Sequence, residues 1–207
     1  MKNSTDLEKG LSRFVPGEAL PLVCKYLRTH RCHLKVTPGR KSKLGDFRPA
    51  HGKRKVHHLS VNGDLNRYGF LITLVHEIAH MTTWEKHQNK VKPHGVEWKT
   101  DFKELMDPIL ELSIFPEDVY RALTKYMNNP AAASCSDLNL SRALRNYDKN
   151  KSTIHLEELP ANSTFIFHEK RVFKKGEKLR RRYQCIEVSS NKKYLFHPLA
   201  EVKPIEN

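Results

Sequence analysis

Apolar positions along the chain change their period several times, and each change marks an expected element. Residues 1–13 are polar without a sustained stripe, so a frayed start is expected. Over 16–28, Ala19, Leu20, Leu22, Val23, Tyr26 and Leu27 form one helical stripe. His33-Leu-Lys-Val-Thr37 then alternates as a strand, and Pro38-Gly39 is a turn signal. Two further strands are expected at 43–50 and 56–61, with Pro49, His51 and Gly52 turning between them like a hairpin. From Leu71 the polar positions all but vanish: Leu71, Ile72, Leu74, Val75, Ile78 and Ala79 leave almost no solvated face. That describes a helix buried through the middle of a domain, with Asp64 or Asn66 placed to cap it.

Trp98, Phe102, Leu105 and Met106 recur at i, i+4, i+7 and i+8 as another helix, which Asp107-Pro108 is expected to interrupt. A further helix is expected over 116–127, with Pro116 at its first position. Asn128-Asn129-Pro130 ends it, and 131–151 reads as a connector. The tail shifts to aromatic and β-branched runs at 163–168, 171–173, 181–189 and 193–196, broken by Lys174-Lys175-Gly176 and Ser189-Ser190-Asn191 turns. The expected fold is therefore α+β: a domain over 1–130 with helices packed on a small three-stranded sheet, a connector, and a small all-β module over 152–207.

The buried helix carries chemistry. His76-Glu77-Ile78-Ala79-His80 is an H-E-x-x-H pattern. On a helix i and i+4 share a face, so both imidazoles can grip one Zn²⁺ while Glu77 stands beside it as a general base. A catalytic zinc has three protein ligands and one open position. Thirteen residues separate His80 from His94, at the start of the Trp98 helix, and His94 ranks first as third ligand, ahead of Glu97 and Glu104. His87 is a poorer rival, because the compact H-E-x-x-H-x-x-G-x-x-H pattern needs Gly at 83 and His at 86, where this chain has Thr83 and Lys86. Tyr68 and His87 are candidates to steady the tetrahedral intermediate.

His76-Glu77-Ile78-Ala79-His80 followed by His94-Gly95-Val96-Glu97-Trp98 resembles the SprT-like (Spartan-type) zinc metallopeptidases, over roughly residues 15–130. The resemblance implies a zincin-like domain, His76, His80 and His94 as ligands of one catalytic zinc, and Glu77 as the base. It also implies a substrate ledge at a sheet edge, where peptide backbone adds as a strand, and protein substrates bound or crosslinked to DNA. Many members end in a zinc ribbon. Here Cys135, His168, Cys185 and His197 form no ribbon spacing, so a degenerate, metal-free ribbon-like module is expected.

Charge widens the picture. A net charge of +14 points to a polyanionic partner such as DNA. Two clusters are candidates for phosphate contact: Arg40, Lys41, Lys43, Lys53, Arg54 and Lys55 in the first domain, and Lys174, Lys175, Lys178, Arg180, Arg181 and Arg182 in the tail. Phe173 and Tyr183 flank the second cluster, either stacking on bases or, more in keeping with a small barrel, filling its core. Cys24, Cys32, Cys135 and Cys185 form no C-x-x-C pair, which fits a cytoplasmic protein without disulfides. The polar start suggests no secretory signal, and no apolar run approaches the ~20 residues of a membrane span. The rival to the peptidase is a nucleic-acid-binding protein whose metal centre is structural or inactive. Glu77 between the ligands favours the enzyme, because a structural site has no use for it.

Overall fold

A computed structural model describes residues 4–40, 43–52, 55–131, 137–149, 154–168 and 170–205. The described residues form an α+β protein of two compact units, 1–148 and 149–207. None of their helices is long and apolar enough to cross a membrane.

In the first unit the elements run α1 (Ser4–Leu11), α2 (Leu20–Thr29), β1 (Cys32–Thr37), β2 (Gly45–Arg48), β3 (His57–Asn62), α3 (Arg67–His87), α4 (Val96–Leu110), α5 (Glu117–Met127) and α6 (Leu138–Arg145). Asn66 starts α3 as anticipated, its side-chain oxygen accepting from the N–H groups of Tyr68 at 3.1 Å and Gly69 at 2.9 Å. Phe70, Leu71, Ile72, Leu74, Val75, Ile78, Ala79 and Met81 of this helix are wholly buried. One flank of α3 packs on the sheet, where Leu59 and Val61 of β3 are buried. The other meets α4 through Trp98, Phe102 and Met106. Between the two helices the buried Asp101 carboxylate accepts from Thr82 Oγ1 (3.1 Å), Thr83 Oγ1 (2.8 Å) and Lys86 Nζ (2.5 Å). Three donors offset the desolvation of that charge and tie α4 to the turn of α3 just beyond His80.

The sheet order is β1-β3-β2, with β3 parallel to β1 and antiparallel to β2. The hairpin of β2 and β3 was legible, whereas the parallel pairing, which inserts β3 between β1 and β2, was not. Three expectations are corrected here. The polar start forms α1, held by buried Leu11 and a Glu8–Arg28 ion pair at 2.8 Å. Helix α4 runs through Asp107-Pro108 to Leu110, because buried Ile109 keeps its last turn on the core. The stretch expected as a connector contains α6, capped by Asp137, with Leu140 and Ala143 buried against the first unit's core. Asn66 binds this segment too, donating to Leu144 O at 2.8 Å and Asp148 Oδ1 at 2.7 Å.

The second unit holds β4 (Ile154–His155), β5 (Thr164–Phe167), β6 (Arg171–Lys178), β7 (Tyr183–Glu187), β8 (Lys193–Phe196) and β9 (Glu201–Pro204) in one sheet of order β4-β9-β5-β6-β7-β8. Its core is Leu156, Leu159, Phe165, Phe173, Cys185, Phe196 and Val202. About four strands were expected; the short β4 and β9 lacked a readable pattern. Lys174-Lys175-Gly176 is not a turn but the middle of β6, with an irregularity in register between Lys175 and Lys178. Lys175 points inward and donates to the carbonyls of Glu157 (3.2 Å) and Leu159 (2.5 Å).

Candidate metal centre

Helix α3 places His76 and His80 one turn apart, with their Nε2 atoms separated by 3.2 Å. His94 enters from the loop before α4. Its backbone is left-handed, with φ 58°, in a tight turn closed by the Gly95 N–H on Lys92 O at 2.9 Å. In this conformation His94 Nε2 lies 3.3 Å from His76 Nε2. Tetrahedral ligands about 2.0–2.1 Å from a common ion stand about 3.3–3.4 Å apart. His76 stands at about that spacing from both His80 and His94, the donor atoms of all three lie within 4.8 Å of one another, and together they could hold a metal ion.

Ring packing orients them. The Trp98 indole, fully buried, lies 4.7 Å from the His76 and His94 rings and 5.3 Å from that of His80, between centroids. Phe47 of β2 lies parallel to His80 at 6.5 Å. His76 Nδ1 and Trp98 Nε1 are buried without a hydrogen-bond partner among the described residues. Packing therefore does for His76 what an outer hydrogen bond does for many metal-bound histidines.

Burial and then the neighbouring His80 and His94 push His76 down to about 3. Burial and His94 push His80 down to about 4, and burial lowers His94 as well. Neutral imidazoles keep their lone pairs free for a cation. Glu77 goes the other way: burial, helped by Asp46, pushes its carboxyl up to about 8 against the pull of Arg40 and Lys43. A divalent cation at the trio would draw it back down.

These shifts make a measurable pattern in the metal-free protein. Unfolded histidine takes up protons near 6.5, while His76 and His80 resist until about 3 and 4, so their contribution to stability is lost as pH falls through that window. Unfolded glutamate ionises near 4.5, while folded Glu77 holds its proton to about 8, so its contribution is lost as pH rises from 4.5 to 8. Among these three groups the two histidines outweigh the carboxyl below 6.5 and Glu77 prevails above it, each unbalanced proton amounting to at most about 1.4 kcal/mol per pH unit. Thermal melts of chelator-treated protein are therefore expected to show a maximum near pH 6.5, and Glu77→Gln to remove the decline above it. A wild-type melting point still climbing to pH 8 would contradict this assignment.

Of the residues expected from sequence, His76, His80 and His94 come together, and Glu77 follows His76 on α3 with its side chain against Gly45 of β2. Glu97, Glu104 and His87 lie outside the metal-binding group, and Glu104 instead stands 3.9 Å from Lys86. Tyr68 packs on Phe115 and Tyr147, eight residues and about 12 Å along the helix before His76. His87 is about 10 Å beyond His80 by the same rise. Neither stands beside the trio. Trp98 belongs to the His94-Gly95-Val96-Glu97-Trp98 segment and to the α4 stripe in the sequence reading, which did not foresee its packing on all three imidazoles.

The expected phosphate contacts divide. Arg40 lies across β3, donating to Asn62 Oδ1 (2.8 Å) and Ser60 Oγ (3.2 Å). Lys43 is exposed and paired with Asp46 at 2.6 Å, and Lys55 is exposed. Lys41, Lys53, Arg54 and Cys135 fall outside the described residues. Lys174, Lys178, Arg180, Arg181 and Arg182 are exposed. Lys175 is corrected: it is buried, its ammonium on two carbonyls and 4.4 Å from the centre of the Tyr183 ring, so it offers no surface cation. Phe173 is fully buried and belongs to the core.

Comparison with protein-family models, with curated proteins and with solved structures finds no match in any of the three.

Proposed function

We propose that the protein is a zinc-dependent endopeptidase of the SprT-like kind. One observation carries the reading: His76, His80 and His94 form a group that could hold a metal ion, and the buried Glu77 directly follows His76 on the same helix. Three neutral imidazoles with a fourth position left to water or substrate are a donor set suited to catalytic zinc. Bound there, Zn²⁺ would polarise a scissile carbonyl and ease ionisation of the attacking water, towards a pKa of about 7. With the metal in place, Glu77 would serve as the general base, taking a proton from the attacking water and passing it to the leaving amine. Among the described residues strand β2 pairs with β3 alone, and its other edge can pair with an extended substrate.

The exposed cations of both units support a polyanionic partner, and proteins bound to DNA are the substrate class this reading favours. Digestion of fluorophore-labelled casein tests both parts. Cleavage is expected to stop with a chelator, to return with stoichiometric Zn²⁺, and to rise when duplex DNA is added. Zinc-loaded protein that leaves casein intact, with or without DNA, would favour the rival: a nucleic-acid-binding protein with a structural metal centre.

A further inference from the structure

Strand β2 forms a second wall of the centre. Gly45 is registered against Val61 and Phe47 against Leu59, and directly opposed residues share a face of the sheet. Val61 and Leu59 are buried towards α3, so Gly45 and Phe47 face α3 as well. Asp46 and Arg48 point to the other face, where they pair at 2.8 Å. The two inward positions meet two residues of the motif: Phe47 stacks on His80, and Gly45 meets Glu77.

The second contact leaves no room for a side chain. A Cβ added at Gly45 would stand 2.7 Å from Glu77 Cγ and 2.8 Å from its Cδ, and would overlap Oε1. The backbone does not itself ask for glycine here, since Gly45 is not among the residues with positive φ. Glycine inside a strand is mildly destabilising, which makes its presence informative. Glu77 is buried, 6% exposed as a residue, and no side-chain hydrogen bond holds its carboxyl among the described residues, so its contact with β2 bears directly on where the carboxyl lies.

We propose that Gly45 is a positioning residue for the catalytic base: the side chain it lacks is the slot in which the Glu77 carboxyl rests. Its effect on rate rests on the peptidase reading, whereas its effect on the position of Glu77 does not.

Gly45→Ala tests this. The added methyl must push the Glu77 carboxyl aside while leaving the three histidines in place. Zinc content is expected to stay at the wild-type level, and casein cleavage to fall about 100-fold, the loss that a displacement of about 1 Å brings. In a Glu77→Gln background, Gly45→Ala should lower the residual rate no further, because the two changes act on one group. Glutamate labelled with ¹³C at its side-chain carboxyl gives a readout independent of activity. The Glu77 signal, identified by its loss in Glu77→Gln, should move in Gly45→Ala while the other glutamates hold still.

A Gly45→Ala protein with wild-type rate and an unmoved Glu77 signal overturns the proposal. If the wild type proves inactive on casein, the carboxyl signal alone decides, a shift supporting and no shift overturning. If Gly45→Ala does not fold, the Gly45→Ala/Glu77→Ala pair decides. Recovery of the fold supports a clash with Glu77, and failure to recover it overturns the proposal.

Discussion

Glu77→Gln is expected to retain its fold and its metal while losing casein cleavage by about 100- to 10,000-fold, the range over which a positioned acid–base group acts. The amide has nearly the shape of the carboxyl, so the slot beside Gly45 and the packing of α3 are preserved. Burial already holds the metal-free carboxyl neutral at pH 7, at a pKa of about 8, so exchanging it for a neutral amide removes no buried charge. What disappears is the ability to take a proton from the attacking water. Metal content and steady-state rates on the same preparation check this, and wild-type turnover by the variant would remove Glu77 from the base's role.

The second large effect is expected at His94. The residue sits at φ 58°, where a β-carbon is strained, so alanine would confound loss of the ligand with a backbone effect. His94→Gly separates the two, because glycine accepts that conformation freely. With two imidazoles left, metal affinity is expected to fall by more than the roughly 10- to 100-fold that loss of an outer partner costs. Free imidazole at millimolar levels should restore part of it by filling the gap. Competition against a chromophoric chelator measures both. Wild-type affinity in His94→Gly would point to Glu97 or Glu104 and a different arrangement of the loop.

Much of the centre could be read from the sequence because it is local. His76, Glu77 and His80 are fixed by helical spacing, and the run from Leu71 to Ala79 announced that their helix is buried. His94 was reachable because a histidine followed by glycine, just before an amphipathic helix, can enter from a loop. Gly45 was not legible: its contact is with a residue 32 positions away, through a strand whose inward face was unknown before the pairing with β3. The parallel pairing of β1 with β3 depends on a crossover that alternation cannot encode. Helix α6 was missed because eight residues burying only Leu140 and Ala143 make a short stripe in a polar segment. Lys175 misled because a lysine in a basic run reads as solvated, whereas the opposing Cys185 places it on the inward face of β6.

The most direct measurement of the central claim is X-ray absorption at the zinc edge on stoichiometrically loaded protein, with metal content determined on the same sample. One zinc per chain is expected, with about three imidazole nitrogens at about 2.0–2.1 Å and one lighter oxygen donor completing the shell. A sulfur neighbour near about 2.3 Å, or a spectrum unchanged in His94→Gly, would contradict a centre built from His76, His80 and His94.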